Sequence, residues 1–179
     1  MRACTRILGV GLVTVASLLH AEQPSATFAA FNDWLTLCHL ICEDLARIDP
    51  VSRLVRAIGP TLVVALLLDG PQLPSRWPGR YATVLADDPG SSVLTLTSLG
   101  MALRSRPRDG TGRVPSSRVI ALWKDSRFGD RTIDLAEGAT GVVLTLWGEH
   151  VEEFTADGRS DRTGAGRITL GEVAQVRSG

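Results

Sequence analysis

Lysine is almost missing from this sequence: Lys124 is the only one, so the basic complement is nearly all arginine. Neither sign of charge is in excess, with 19 Lys and Arg against 19 Asp and Glu and a formal net charge of zero. The arginines are dispersed rather than gathered into a stripe with aromatics between them, so the electrostatic footprint of a nucleic-acid surface is lacking and no nucleic-acid partner is expected. Cysteine is scarce as well. Cys4, Cys38 and Cys42 are an odd number with no Cys-x-x-Cys pair and no nearby two-histidine set, which points away from both a disulfide framework and a zinc site. No internal repeat is visible, no cofactor is implied, and the longest apolar stretch is too short to span a bilayer as a helix.

What remains is an ordinary globular composition. Hydrophobic residues make up 44% of the 179 and charged residues 21%, enough apolar material for one hydrophobic core and one globular unit. Three regions are expected: an apolar N-terminal segment over residues 1–29, a domain over 30–158, and a polar tail over 159–179. In the first, Arg2 and Arg6 precede an apolar and small-residue stretch from Ile7 to Leu19, which has the n-region and h-region of a secretory signal. The cleavage site is poor, because Leu19 stands where a small residue is wanted if Ala21 is the last one removed. The competing reading makes Val10 to Leu18, rich in valine and threonine, a buried strand of the fold. A cytoplasmic location follows from the strand reading, and export from the signal reading of residues 1–21.

Pro24 marks a loop, and Phe31-Asn32-Asp33-Trp34 a turn leading into a buried strand from Leu35 to Cys42. Asp49-Pro50-Val51 reads as a helix start, with aspartate as N-cap and proline at the first helical position. That helix should run to Ile58, with Val51, Leu54, Val55 and Ile58 on one apolar face and Gly59-Pro60 stopping it. Thr61 to Leu68, apolar on both faces, predicts a central strand of a covered sheet. A second helix is expected within Ser75 to Leu85, ended by Asp87-Asp88-Pro89-Gly90, and a third strand at Ser92 to Thr97. Strand, helix, strand, helix, strand is the order of an α/β sheet with crossover helices. Beyond an arginine-, proline- and glycine-rich loop from Arg104 to Ser117, short strands are expected at Arg118 to Trp123, Thr132 to Ala136 and Gly141 to Trp147, joined as antiparallel hairpins. From Arg159 the chain should be tail-like, with one short strand at Arg167 to Leu170.

Chemistry concentrates at Leu40-Ile41-Cys42-Glu43-Asp44-Leu45. A cysteine at the carboxyl end of a buried strand lies where open α/β sheets place reacting groups. A cysteine there serves as a nucleophile when a base and a positive charge assist it. The plain alternative is a small buried hydrophobe, which is also the reading for Cys38. His39, alternating with Leu40, is more simply a satisfied core histidine than a base. His150 beside Glu149, Glu152 and Glu153 is a solvated acidic loop whose spacing matches no closed metal site. Trp77 and Tyr81, four apart on the second helix, should pack on each other.

Leu-Ile-Cys-Glu-Asp-Leu resembles the nucleophile strand of the nitrilase superfamily of carbon-nitrogen hydrolases, in the Cys-Glu-Asp form of the glutaminase domains of NAD synthetases. Arg53 to Gly59 is similar to the family's helix after the nucleophile, Thr61 to Leu68 to its next strand, and Arg76 to Leu85 to the helix over the site. The similarity continues through Ser91 to Gly100 and Arg118 to Asp125 and covers about Ala30 to Gly158. It implies the C-terminal half of an α-β-β-α sandwich, incomplete because the N-terminal part of the domain is missing. It also implies hydrolysis at an amide or nitrile carbon by Cys42, with the Glu43 backbone amide as an oxyanion donor and with Trp77 and Tyr81 close enough to the crevice to shape a substrate pocket.

The family's general-base glutamate and its lysine come before the nucleophile. Here only Glu22 and Asp33 precede Cys42 among acidic residues, no lysine does, and Lys124 follows it. Three readings stay open: a hydrolase of small amides or nitriles completed by a partner subunit or upstream segment, a non-catalytic interaction or regulatory module, and a small exported protein. Half of a two-sheet fold leaves apolar strand faces uncovered, so self-association or a partner subunit is expected.

Overall fold

Strands built from leucine and β-branched residues must cover at least one face, and the middle of this chain does so with the helical segments that connect them. The computed structural model describes residues 11–14, 27–31, 35–105, 117–150 and 166–177. A seven-stranded sheet runs in chain order through β1 Gly11–Thr14, β2 Thr27–Ala30, β3 Thr36–Ile41, β4 Leu62–Leu67, β5 Ser92–Thr97, β6 Val119–Asp125 and β7 Gly129–Asp134. β3, β4 and β5 are parallel to one another, and the other neighbouring pairs are antiparallel. The mixed α/β class therefore matches expectation.

The register sets Phe28, Cys38, Val63 and Val93 in one cross-strand row and Leu40, Ala65 and Thr95 in the next, all buried. Over these rows lie Leu45 and Val51 from two helical turns, Cys42–Ala46 and Ile48–Ser52, together with Val55 of α1 Arg53–Ile58 and Ala82 and Leu85 of α2 Trp77–Asp87. Each such valine or leucine contributes about 1.5–3 kcal/mol when fully buried, so this face is the main stabilising layer. The buried stripe of α2 is Pro78, Gly79, Ala82, Leu85 and Ala86, the helical spacing of one face. Gly79 sits in it because the loop before the helix passes against it: a Cβ there would lie 2.6 Å from the Pro74 carbonyl oxygen and 2.8 Å from that of Leu73.

Among the described residues the opposite face is covered on one side only. β8 Gly141–His150 and β9 Gly166–Val176 form a separate antiparallel ribbon. Ser92 Oγ donates to the Ile168 carbonyl, Arg131 Nη1 to that of Gly171 at 2.7 Å, and Gln175 Nε2 to that of Asp134 at 2.8 Å. The ribbon thus anchors on β5 and β7, close to the buried Trp123 and Ile133. Toward β3 and β4 the face is open: Ile41, paired with Leu66, is 60% exposed, Leu66 is 44% and Leu68 is 77%.

Several sequence expectations need correction. The helix does not start at Asp49-Pro50. Asp49 is extended (φ −125, ψ 126), the residue preceding α1 is Ser52, and α1 begins at Arg53. Gly59 does stop it, in the left-handed region at φ 62. Ile58, placed on the apolar face, is 41% exposed because the helix rests on Val51 and Val55, with Leu54 partly buried beside them. Among the described residues Thr61 to Leu68 is covered on one face only, and Leu66 and Leu68 on its second apolar face are exposed. His39 is exposed on that open face rather than buried. The segment expected to be tail-like holds β9, eleven residues long with Ile168 buried, because it pairs with β8 and not with the sheet. α3 Leu99–Arg104, capped by Ser98 Oγ accepting from the Met101 amide, was not anticipated. The strand reading of the N-terminal segment meets β1, while residues 1–10 and 15–26, with the signal-like features they carry, lie outside the described residues, as does most of the Arg104 to Ser117 loop. No described helix is long and apolar enough to cross a membrane.

Cys38 behaves as the small buried hydrophobe expected of it: it is fully buried and burial pushes its thiol up to about 12. The folded chain keeps this proton where the unfolded chain, titrating near 9, gives it up. The contribution is complete below pH 9 and is lost as pH rises from there toward 12, by on the order of 1.4 kcal/mol per pH unit at most. Urea midpoints across that window should fall faster for the native chain than for Cys38→Ala, and parallel curves would contradict the assignment.

Candidate active site

A strand that ends at a sheet's carboxyl edge must turn sharply to feed a helix, and β3 does this at one residue. Ile41 is still extended (φ −117, ψ 117), and Cys42, the first residue of the turn Cys42–Ala46, takes φ 50. Among the described residues Cys42 is the only non-glycine with positive φ. A left-handed backbone costs an L-residue roughly 1–2 kcal/mol. Such cost, concentrated on one side chain at a strand-to-helix turn, is the geometry that presents a nucleophile above a sheet edge. The Cys42 side chain is partly exposed, in contrast to Cys38 four residues earlier.

Glu43 follows within the turn with its side chain exposed. Its backbone amide belongs to the first residues of a helical turn, which have no carbonyl partner within that turn, so it is free by position to donate to a developing oxyanion. Asp44 accepts through its carbonyl from the Arg47 amide at 3.3 Å, so its main chain closes the turn.

Trp77 and Tyr81 fall together as their spacing required. Their rings meet edge to face with centroids 6.2 Å apart and planes at 72°. Trp77 packs against the buried cluster that includes Leu45, three residues after Cys42, so α2 stands beside the Cys42–Ala46 turn. Tyr81 is 38% exposed one turn further along.

One feature of this edge escaped the sequence reading. Asp69, just past β4, and Arg76, just before α2, form an ion pair at 2.7 Å with side chains only 19% and 34% exposed. Asp69 Oδ1 also accepts from the Gly70 amide at 2.7 Å, and the Asp69 carbonyl accepts from Thr97 Oγ1 at 2.6 Å. Seven positions apart across a loop, the two residues carry no periodic signal. The Asp-Gly-Pro turn, which folds the chain back over the end of β4, was the available hint.

Other candidates separate from the site. Lys124 pairs with Asp130 at 2.6 Å across the β6–β7 hairpin, and its position on β6 puts it opposite Val93, near the start of β5 rather than its carboxyl end. His150 is exposed, and Glu149 pairs with Arg127 at 3.1 Å. Glu152 and Glu153 lie outside the described residues. No group of three or more His, Cys, Asp or Glu that could hold a metal occurs among the described residues. A pocket lined by Trp123, Asp125, Phe128 and Leu170 lies at the β6–β7 turn, away from the Cys42 edge. Its buried carboxylate, Asp125, is already engaged by the Trp123 indole and the Arg127 and Phe128 amides.

No family model matches the chain, and neither a curated protein nor a solved structure matches it.

Proposed function

We propose that this chain is a nitrilase-like carbon-nitrogen hydrolase unit whose nucleophile is Cys42. The observation that carries the reading is the left-handed turn at Cys42, at the carboxyl end of β3 and beside α2. In the proposed reaction Sγ bonds to the amide carbon, the amine leaves with the thiol's proton, and water then cleaves the thioester to an acid and returns the thiol. Glu43 donates its backbone amide to the oxyanion, and Trp77 with Tyr81 forms a wall of the substrate pocket. The resemblance of Leu40 to Leu45 to the family's nucleophile strand supports the same chemistry. The remainder of an α-β-β-α sandwich would pack on the open face at Ile41 and Leu66, through a second copy or a partner subunit.

Incubation with small nitriles and amides, followed by acid quenching and peptide mass spectrometry, tests this. The expected result is a covalent adduct confined to the Cys42 peptide and absent in Cys42→Ala. Adducts spread equally over the cysteines, or none on Cys42, would remove the reading.

A second reading, a non-catalytic interaction module, is favoured by the exposed row Ile41, Leu66 and Leu68, which offers an apolar surface independent of any chemistry at Cys42.

A further inference from the structure

The ion pair at the end of β4 is partly buried and incompletely hydrogen-bonded. Asp69 Oδ2 and Arg76 Nε are buried with no hydrogen-bond partner, and so is Oε1 of Gln72, a residue that is fully buried between them in the chain. A buried charge pair built only for stability would have these atoms satisfied, since leaving them unmet forfeits what the pairing gains. The loop nevertheless holds the guanidinium tightly. Gln72 Nε2 donates to the Gly70 carbonyl at 2.9 Å, and a Cβ on Gly70 would lie 2.6 Å from Ser105 Cβ and 2.9 Å from Arg76 Nη1. Arg76 is therefore fixed in orientation, one third exposed, and placed as the residue before α2.

That position lies on the Cys42 side of the molecule. Ile41 pairs with Leu66 in adjacent parallel strands, so Cys42 leaves the sheet one residue beyond the pair and Asp69 three residues beyond it. Neighbouring strands stand about 4.8 Å apart, so both residues lie at the carboxyl edge of adjacent strands, where α2 packs beside the Cys42–Ala46 turn.

We infer that Arg76, oriented by Asp69, is a specificity-determining residue for substrates carrying a carboxylate close to the bond that Cys42 attacks. The inference rests on Cys42 being the nucleophile. An arginine fork held by one carboxylate matches a second one, and a planar donor set fixed before binding spends no freedom in meeting it. Asp69 acts as the positioning residue: its Oδ1 holds Nη2, and the exposed third of the arginine side chain is the part a ligand can meet.

Two alkylating probes of nearly equal size separate this charge effect from thiol reactivity, because both consume the same thiolate. The rate at Cys42 with iodoacetate divided by the rate with iodoacetamide should exceed the same ratio in the denatured chain by about fivefold. Added salt should lower the iodoacetate rate alone. Arg76→Met should bring the ratio down to the denatured value, and Arg76→Lys should keep most of it. The salt response needs no variant and stands even if Arg76→Met fails to fold. A native ratio equal to the denatured one and indifferent to salt overturns the inference while leaving the nucleophile reading intact. Protection of Cys42 from both reagents overturns that reading and the inference with it.

Discussion

Gly79→Ala lowers stability by about 2–3 kcal/mol, although alanine is the better helix former by about 1 kcal/mol. The reversal comes from the loop that presses on the first turn of α2. The added methyl would enter the space of the Pro74 and Leu73 carbonyl oxygens at 2.6 and 2.8 Å and of Pro74 Cα at 2.8 Å. These are backbone atoms, and they cannot swing aside as a flexible side chain does. Either the helix lifts from the sheet or the loop shifts, and this is the loop that aims Arg76. Urea unfolding should show a lower midpoint at unchanged slope. A variant as stable as the parent, or more so, would mean that the close approach is absent. Because Trp77, Tyr81 and Arg76 all sit at this junction, the same variant should slow any reaction at Cys42 under conditions where the fold is retained.

Substitutions at Cys42 are expected to order by backbone freedom and not by side-chain similarity. Cys42→Gly should gain up to about 1 kcal/mol, since glycine adopts φ 50 without steric cost. Cys42→Val should lose roughly 1–2 kcal/mol, because a β-branched residue tolerates the left-handed region least. All covalent capture at position 42 disappears in both. If valine and cysteine give equal midpoints and glycine gives no gain, the turn is not left-handed and the main support for a presented nucleophile is lost.

The parallel core was legible because its signals are local. Thr61 to Leu68 and Ser92 to Thr97 are apolar runs of strand length between strong breakers, and they appear as β4 and β5. The stripe of α2 and the Trp77–Tyr81 contact follow from helical spacing. Where competing local and distant effects met, the sequence misled. Asp49-Pro50 has the residues of a helix start, yet the start is delayed to Arg53, where Val51 and Val55 can both reach the core. β9 looked too polar and too rich in glycine to order, and its pairing with β8 supplies the backbone bonds that its own composition does not suggest. At the site, position 42 was readable from the cysteine at a strand end. Its left-handed φ was not, since nothing in Cys-Glu-Asp distinguishes an extended from a left-handed cysteine. The Asp69–Arg76 pair was invisible for a different reason: ion pairs across loops depend on how the loop folds, and spacing carries that information only within helices and strands.

The second apolar face of β4 teaches the same distinction. Its composition signalled burial on both sides, while the described residues bury it on one. The sequence therefore reports the apolar character of this face and leaves open which layer covers it.

Cys42 is held out at the strand end while Cys38, four residues earlier, is sealed in the core. Alkylation of the native chain by iodoacetamide at pH 8, followed residue by residue by peptide mass spectrometry and compared with the urea-denatured chain, tests this directly. The account predicts that Cys42 is modified in the native chain at a rate equal to or above its denatured rate, and that Cys38 is modified only after unfolding. Equal protection of the two cysteines, both reacting only on denaturation, would make Cys42 a structural residue and contradict it.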